Sequence, residues 1–339
     1  VTQSVQERKP YASAFERLER ELPGSGLAWL RSLRRESMAR FWELGFPSEK
    51  DEEWRFTPVA PIARTNFEPA LRPARTDGIN IAELSLCRFD AHRLVFVDGF
   101  CVPELSDAAP AFGGDGALAS LGRFLDAAPE RLRPYFSSRN GSPKAFAALN
   151  SALFQDGAVL FLAPGAVLDK PIHLLFVSSP HETSVMAHVR VLIVAGKGAR
   201  ATVVEEYAGG SPLPSFTNAV TEIRAGENSS LDYYRLQREG CLACHVSSLQ
   251  VRQEKDSVFR GHSVSLGGAL VRNDVSVLLA EEGADCALNG LYLLGGRQHL
   301  DNHTLIDHSK PHGTSRELYK GVLDGQARAV FDGAIVVRP

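Results

Sequence analysis

Five stretches in the second half of the chain decide the fold: Val191-Leu-Ile-Val-Ala-Gly-Lys-Gly198, Val220-Thr-Glu-Ile-Arg-Ala-Gly-Glu227, Leu249-Gln-Val-Arg-Gln-Glu-Lys-Asp256, Val277-Leu-Leu-Ala-Glu-Glu-Gly-Ala284 and Thr304-Leu-Ile-Asp-His-Ser-Lys-Pro311. Each passes from a short apolar run into a polar turn, and their first residues fall 29, 29, 28 and 27 positions apart. No helical period intervenes between them. A near-constant lag of strand and turn predicts a stacked solenoid, a β-helix, in which each rung covers its apolar face only by lying on the next. Such a solenoid is expected to have an apolar interior with no room for a cofactor. A sandwich of antiparallel hairpins is the alternative that also produces regularly spaced strands.

Upstream of this region the period is helical. Phe15, Leu18 and Leu22, then Leu27, Leu30, Met38, Phe41 and Leu44, predict two helices between Ala12 and Leu44. Gly45 and Pro47 end the second. Ser48-Glu-Lys-Asp51 has the form of a capping box, with Ser48 accepting from the Asp51 amide. His92-Arg-Leu-Val-Phe-Val-Asp-Gly-Phe-Cys-Val102 reads as two short strands around Asp98-Gly99, a pair that tolerates the positive φ of a tight hairpin. Residues 116–136 look helical. Ser142-Pro143 supplies an N-cap and first-turn proline for a helix that carries Phe146, Leu149 and Leu153 on one face and ends near Gly157. The expected organisation is a helical, α+β N-terminal domain over residues 1–155 and a β-helix core over 156–339.

The chain has 339 residues, with 37 Lys and Arg against 40 Asp and Glu. A formal charge of −3 argues against a counterion-release grip on nucleic acid and against a polybasic membrane patch. No run approaches 18 apolar residues and the opening twenty contain no signal-type apolar stretch, so the cytoplasm is the expected location. Cys87, Cys101, Cys241, Cys244 and Cys286 are an odd, sparse set, read as free reduced thiols.

Three motifs carry possible chemistry. Gly196-Lys-Gly198-Ala-Arg-Ala201 after a hydrophobic strand matches the dinucleotide fingerprint, with Glu222 downstream, but the segment that follows, Ala201-Thr-Val-Val-Glu-Glu-Tyr207, is β-branched. The fingerprint works only where a helix N-terminus meets the pyrophosphate, so a solenoid turn needing two flexible glycines is the better account. Cys241-Leu-Ala-Cys244-His245 matches the haem-attachment pattern, yet it precedes a strand and lacks the extra ligands that haem or zinc would need. His303, His308 and His312, near His299, Asp301 and Asp307, are weak metal-ligand candidates, because strand alternation puts His303 and His308 on opposite faces. No Walker loop, G-x-S-x-G or H-E-x-x-H is present.

Three separated blocks resemble the SufB/SufD family of Suf iron-sulfur cluster assembly scaffolds. They are Phe46-Pro-Ser-Glu-Lys-Asp-Glu-Glu-Trp-Arg-Phe-Thr57, then Leu149-Asn-Ser-Ala-Leu-Phe-Gln-Asp-Gly-Ala158 with Pro171-Ile-His-Leu-Leu-Phe176, and finally Asp301-Asn-His-Thr-Leu-Ile-Asp-His-Ser-Lys-Pro-His-Gly-Thr-Ser-Arg-Glu-Leu-Tyr-Lys-Gly-Val-Leu323 continuing to Ala329-Val-Phe-Asp-Gly-Ala-Ile-Val-Val337. The helical front favours the SufD side of the family. The resemblance implies a right-handed parallel β-helix behind a helical N-terminal domain and ahead of a helical C-terminal one. That last domain, with the family's functional histidine and the segment that docks the SufC ATPase, is missing before Pro339, so the chain is expected to be a fragment. The resemblance further implies a non-catalytic subunit that pairs with a SufB-like paralogue and a SufC-like ATPase. Sulfur would come indirectly from a cysteine desulfurase, with no nucleic acid or membrane partner. This chain alone is expected to bind no cofactor. The nascent Fe-S cluster, ATP on SufC and a reduced flavin would belong to the complex. A cytoplasmic β-helix enzyme acting on carbohydrate and a nucleotide-dependent oxidoreductase are the rival readings.

Overall fold

The computed structural model describes residues 5–72, 76, 79–107, 114–136 and 144–338. The front contains helices α1 (Val5–Leu18), α2 (Ala28–Leu44), α3 (Ala60–Arg64), α4 (Ile81–Leu84), α5 (Leu121–Ala127), α6 (Pro129–Leu132) and α7 (Ala145–Leu153). Its strands are β1 (Glu68–Pro69), β2 (His92–Val97), β3 (Phe100–Cys101) and β4 (Ala117–Ser120). The solenoid then runs through β5 (Asp156–Leu162), β6 (Ile172–Ser178), β7 (Val185–Ala195), β8 (Arg200–Gly209), β9 (Ser215–Ala225), β10 (Ser230–Glu239) and β11 (Cys244–Gln253). It continues through β12 (Val258–Ser265), β13 (Leu270–Leu279), β14 (Asp285–Leu294), β15 (His299–His308), β16 (Thr314–Leu323) and β17 (Arg328–Val337).

Odd-numbered strands from β5 to β17 form one parallel sheet and even-numbered strands from β6 to β16 the other, giving about six turns of β-helix. Every solenoid pairing is parallel, which rules out the antiparallel sandwich. Inside, like stacks on like. Ile193, Ile223, Val251, Val277 and Ile306 are successive register partners, all buried, and form one apolar column through five rungs. On the opposite wall Phe96, Phe176 and Tyr207 stack at centroid separations of 4.7 and 4.9 Å. Such columns bury β-branched and aromatic area that a single rung could not cover by itself.

The observed register corrects the repeat alignment in detail. Val191 pairs through Thr221, Leu249 and Val275 to Thr304, so the equivalent positions are one residue after Val220 and two before Val277. Because side chains alternate, a slip of one residue exchanges the inner and outer faces. Val220 accordingly pairs with Arg190 and Ser248 on the other face. Turn lengths differ slightly between rungs, which a fixed lag cannot represent.

Most of the front follows its sequence signals. α2 buries Leu30, Arg34, Met38 and Phe41 on one stripe and stops at Gly45, whose φ of +69° suits glycine. Asp98 (φ +51°) and Gly99 (φ +89°) turn the chain between antiparallel β2 and β3. Two expectations change. Residues 117–120 are a strand, pairing antiparallel with β5 through Leu118 and Leu160, and the helix starts only after Ser120, which accepts from the Arg123 amide. The Ser48 box is half formed: the Ser48 amide donates to Asp51 Oδ2 at 2.7 Å, but Ser48 Oγ accepts from Lys50 and not from Asp51. Ser142-Pro143, read as a helix start, lies outside the described residues.

Candidate functional site

Two sequence blocks that lie far apart meet at the seam between the front and the solenoid. Arg272 on β13 points outward and is completely buried beneath the front, with its guanidinium 4.4 Å from the centre of the Trp54 ring. Nη1 donates to Asp301 Oδ2 (2.5 Å) and to the Glu53 carbonyl (2.7 Å); Nη2 donates to Asp274 Oδ1 (2.8 Å). Thr57 donates to the same Asp301 oxygen, and His303 Nε2 lies 3.0 Å from Asp301 Oδ1. Burial alone would push the Asp301 carboxyl up, but the bond from His303, the charge of Arg272 and the Thr57 hydroxyl together hold it below its ordinary value. Burial opposes the Arg272 charge too, and Asp274 and Asp301 more than reverse that. A buried charge with this many partners is tolerable; stripped of them it would not be.

A second junction is made by amides. Asn150 on α7 donates both side-chain hydrogens, to the carbonyls of Val189 and Asn218 at 2.9 Å each, and Asn218 in turn donates to the Phe146 carbonyl at 2.9 Å. Aromatic packing fills the rest: Phe46 and Trp54 lie against Phe146, and Phe146 and Phe67 against Phe216 of β9.

The solenoid interior is not uniformly apolar, contrary to expectation. Buried Glu205 accepts from Tyr207 (2.6 Å) and Thr221 (2.9 Å). Arg235 donates to Ser247, and Ser247 and Asn273 continue the belt to Asn302. One rung wall also holds the buried Glu239–His245 pair, Oε2 to Nδ1 at 2.6 Å. Burial favours neutral Glu239, but the His245 charge and the bonds from His245, Thr217 and Gln237 keep its carboxyl low.

A third cluster lies where the segment after α4 covers β6 and β8. Cys87, His173 and Glu206 are all buried and offer donor atoms lying within 4.8 Å of one another. His173 Nε2 is 3.0 Å from Glu206 Oε2, which also accepts from the Ser85 hydroxyl at 2.6 Å, while the Leu86 amide donates to Oε1 at 2.8 Å. Arg93 Nε donates to His173 Nδ1 at 2.9 Å. Burial pushes the Cys87 thiol up to about 12, and the nearby Glu206 charge adds to this. Burial acts upward on Glu206 as well, yet His173, Ser85 and the Leu86 amide bring its carboxyl below the ordinary value.

The residues singled out from sequence are dispersed. His303 bonds Asp301 at the seam, His308 Nε2 meets Ser315 at 2.9 Å on the other face of β15, and His312 sits in a left-handed turn at φ +61°. The three do not converge. The glycine motif is a rung turn between β7 and β8 with no helix after it: Gly198 has φ +68°, and a Cβ on Gly196 would stand 2.7 Å from the Pro164 nitrogen. This removes the basis of the oxidoreductase reading. Cys241 is exposed on a turn, Cys244 is buried at the head of β11, and the cysteines are free. Sequence reasoning missed the Cys87, His173 and Glu206 group, whose members are separated by 86 and 33 positions and share no motif.

A parallel β-solenoid of about six turns, locked by buried polar contacts to a helical front, defines the fold class of the protein. Residues 176–339 match the SufBD core domain of the SUF system for FeS cluster assembly, and residues 5–174 match the SufBD protein N-terminal region. The chain belongs to the SufBD family and is SufD-like. It is 31% identical over 304 residues to an iron-sulfur cluster assembly SufBD family protein of Synechocystis, covering 87% of this chain and 66% of the relative. It is 28% identical over 298 residues to the iron-sulfur cluster assembly protein SufD of Escherichia coli (86% and 66%). To the chloroplastic protein ABCI7 of Arabidopsis thaliana it is 29% identical over 327 residues (93% and 66%). The chain thus spans 66% of the length of these relatives. Among the described residues no helix is long and apolar enough to cross a membrane.

Proposed function

We propose that the protein is a non-catalytic scaffold subunit for iron-sulfur cluster assembly in the cytoplasm, pairing through the flank of its solenoid with a SufB-like paralogue and working with a SufC-like ATPase. The observation that carries this reading is the SufBD match over both halves of the chain, on a fold whose buried polar side chains serve to fix shape. The outer face of the even-numbered sheet supports it, since Leu291, Leu293, Leu318 and Val322 are exposed there on adjacent strands. In this reading ATP is hydrolysed on the SufC-like subunit, and sulfur reaches the paralogue from a cysteine desulfurase. The nascent cluster and a reduced flavin belong to the assembled complex. SufC docking is assigned to the third of the relatives' length that lies outside the match.

The test is co-expression of residues 1–339 with SufB-like and SufC-like subunits, followed by affinity purification. Recovery of the SufB-like subunit is expected, and no recovery of the SufC-like one when the SufB-like subunit is left out. Failure to recover the SufB-like subunit would overturn the scaffold reading, and retention of the SufC-like subunit in its absence would move the docking surface into the solenoid or front.

A further inference from the structure

The Cys87 cluster has no part in the scaffold reading. Its three side chains come from three segments, the loop after α4, β6 and β8, and they converge in a buried spot lined by Ser85 and Arg93. We propose that Cys87, His173 and Glu206 form a binding site for one divalent transition-metal ion of the zinc class, closed at rest by the guanidinium of Arg93.

The donor set supports this. A thiolate, an imidazole nitrogen and a carboxylate oxygen together suit a borderline-soft ion and disfavour magnesium or calcium, which take oxygen ligands. Ligand bonds of about 2.0–2.3 Å around a tetrahedral ion place donor atoms roughly 3.3–3.8 Å apart. The observed spread, within 4.8 Å, needs a closing movement on the order of 1 Å. Cys87 can make that movement because it lies in a loop, while His173 and Glu206 are held on neighbouring strands. Three ligands leave a fourth position open. The carboxylate is already oriented from behind by the Ser85 hydroxyl and the Leu86 amide, as outer contacts of metal ligands commonly are.

The site already holds a cation. Arg93 donates to His173 Nδ1, so at rest the ring proton is on Nε2 and is shared with Glu206. Loading exchanges one cation for another. Arg93 withdraws toward Asp107, whose carboxylate lies 2.8 Å from the Arg93 amide. The ring proton passes from Nε2 to Nδ1, the Cys87 thiol gives its proton to solvent, and the ion takes Sγ, Nε2 and a Glu206 oxygen. One proton is released per ion, and the two charges of the ion balance thiolate and carboxylate.

The experiment is titration of the chelator-treated protein with Co²⁺, followed by displacement with Zn²⁺. One equivalent of cobalt is expected to give a near-ultraviolet thiolate-to-cobalt band with tetrahedral visible absorption, and calorimetry in two buffers should report release of about one proton. Cys87→Ser should abolish the band and Cys241→Ser should leave it. Glu206→Gln should weaken binding, and Arg93→Ala, which keeps all three ligands, should tighten it, each by roughly tenfold or more. No thiolate band at one equivalent would overturn the proposal, as would a band that survives Cys87→Ser. If Cys87→Ser does not fold by circular dichroism, the Arg93→Ala titration decides: unchanged or weaker binding would overturn the proposal.

Discussion

The Thr57 hydroxyl donates to the carboxylate of Asp301, a residue 244 positions further along the chain. A hydroxyl has one proton to give, so His299, whose Nε2 lies 2.9 Å from the same oxygen, must donate to it through an Nε2–H. Two sequence blocks that resemble the family are thereby joined through a single oxygen atom. The residues that made the resemblance visible hold the front to the solenoid.

The Arg272–Asp301 contact should therefore be costly to break from one side. Arg272→Met leaves Asp301 buried without its cation, and a loss of about 3–5 kcal/mol is expected. Urea unfolding should show a lower midpoint, and the Arg272→Met/Asp301→Asn pair should cost less than the sum of the two single changes.

His188 gives the molecule an acid sensitivity of definite sign. Burial brings its pKa down to about 3, while in the unfolded chain it titrates near 6.5. Between these values the unfolded state binds a proton that the folded state refuses, so stability falls as pH drops from 6.5 toward 3. The loss should reach a few kcal/mol. Denaturation midpoints measured across this window should fall less steeply for His188→Gln than for the parent.

Two glycines of positive φ, +155° at Gly157 and +73° at Gly165, show what a close contact adds to a conformational demand. A Cβ on Gly157 would stand 1.8 Å from the Arg190 carbonyl oxygen of the next strand, whereas Gly165, at φ +73°, has nothing within 4 Å. Gly165→Ala should cost about 1–2 kcal/mol from left-handed backbone alone. Gly157→Ala should cost more than about 3 kcal/mol or prevent folding. Thermal melts of the two variants compare them directly.

Thiol labelling should be selective. Cys241 is exposed, while Cys87, Cys244 and Cys286 are buried and each pushed up to about 12 by that burial. Mass spectrometry after brief maleimide treatment of the native protein should find Cys241 modified first, with these three following only on unfolding. Early modification of Cys87 would contradict the closed site.

The solenoid was legible because Val, Ile and Leu recur with the rung length, and a stack repeats its demands at that interval. Its register was less so, because turns of unequal length move Thr221 and Val275 off a fixed lag. Residues 116–136 look helical in sequence; the need to pair the edge of β5 makes residues 117–120 a strand. The dispersal of the histidines was legible too: His303 and His308 are close in sequence, but strand alternation sends them to opposite faces. Cys87, His173 and Glu206 carried no local signal, since only the stacking of β6 on β8 and the loop laid over them bring the three together.

The seam has a consequence for how the protein comes apart. In a one-dimensional stack each strand can open at little more than the cost of its contacts with its neighbours. β13 and β15 are exceptions, because Arg272 and Asp301 tie them to Thr57 and to the segment around Trp54, and neither can open without also freeing the front. Native-state hydrogen exchange should accordingly show the amides of β13 and β15 exchanging together with those of the front.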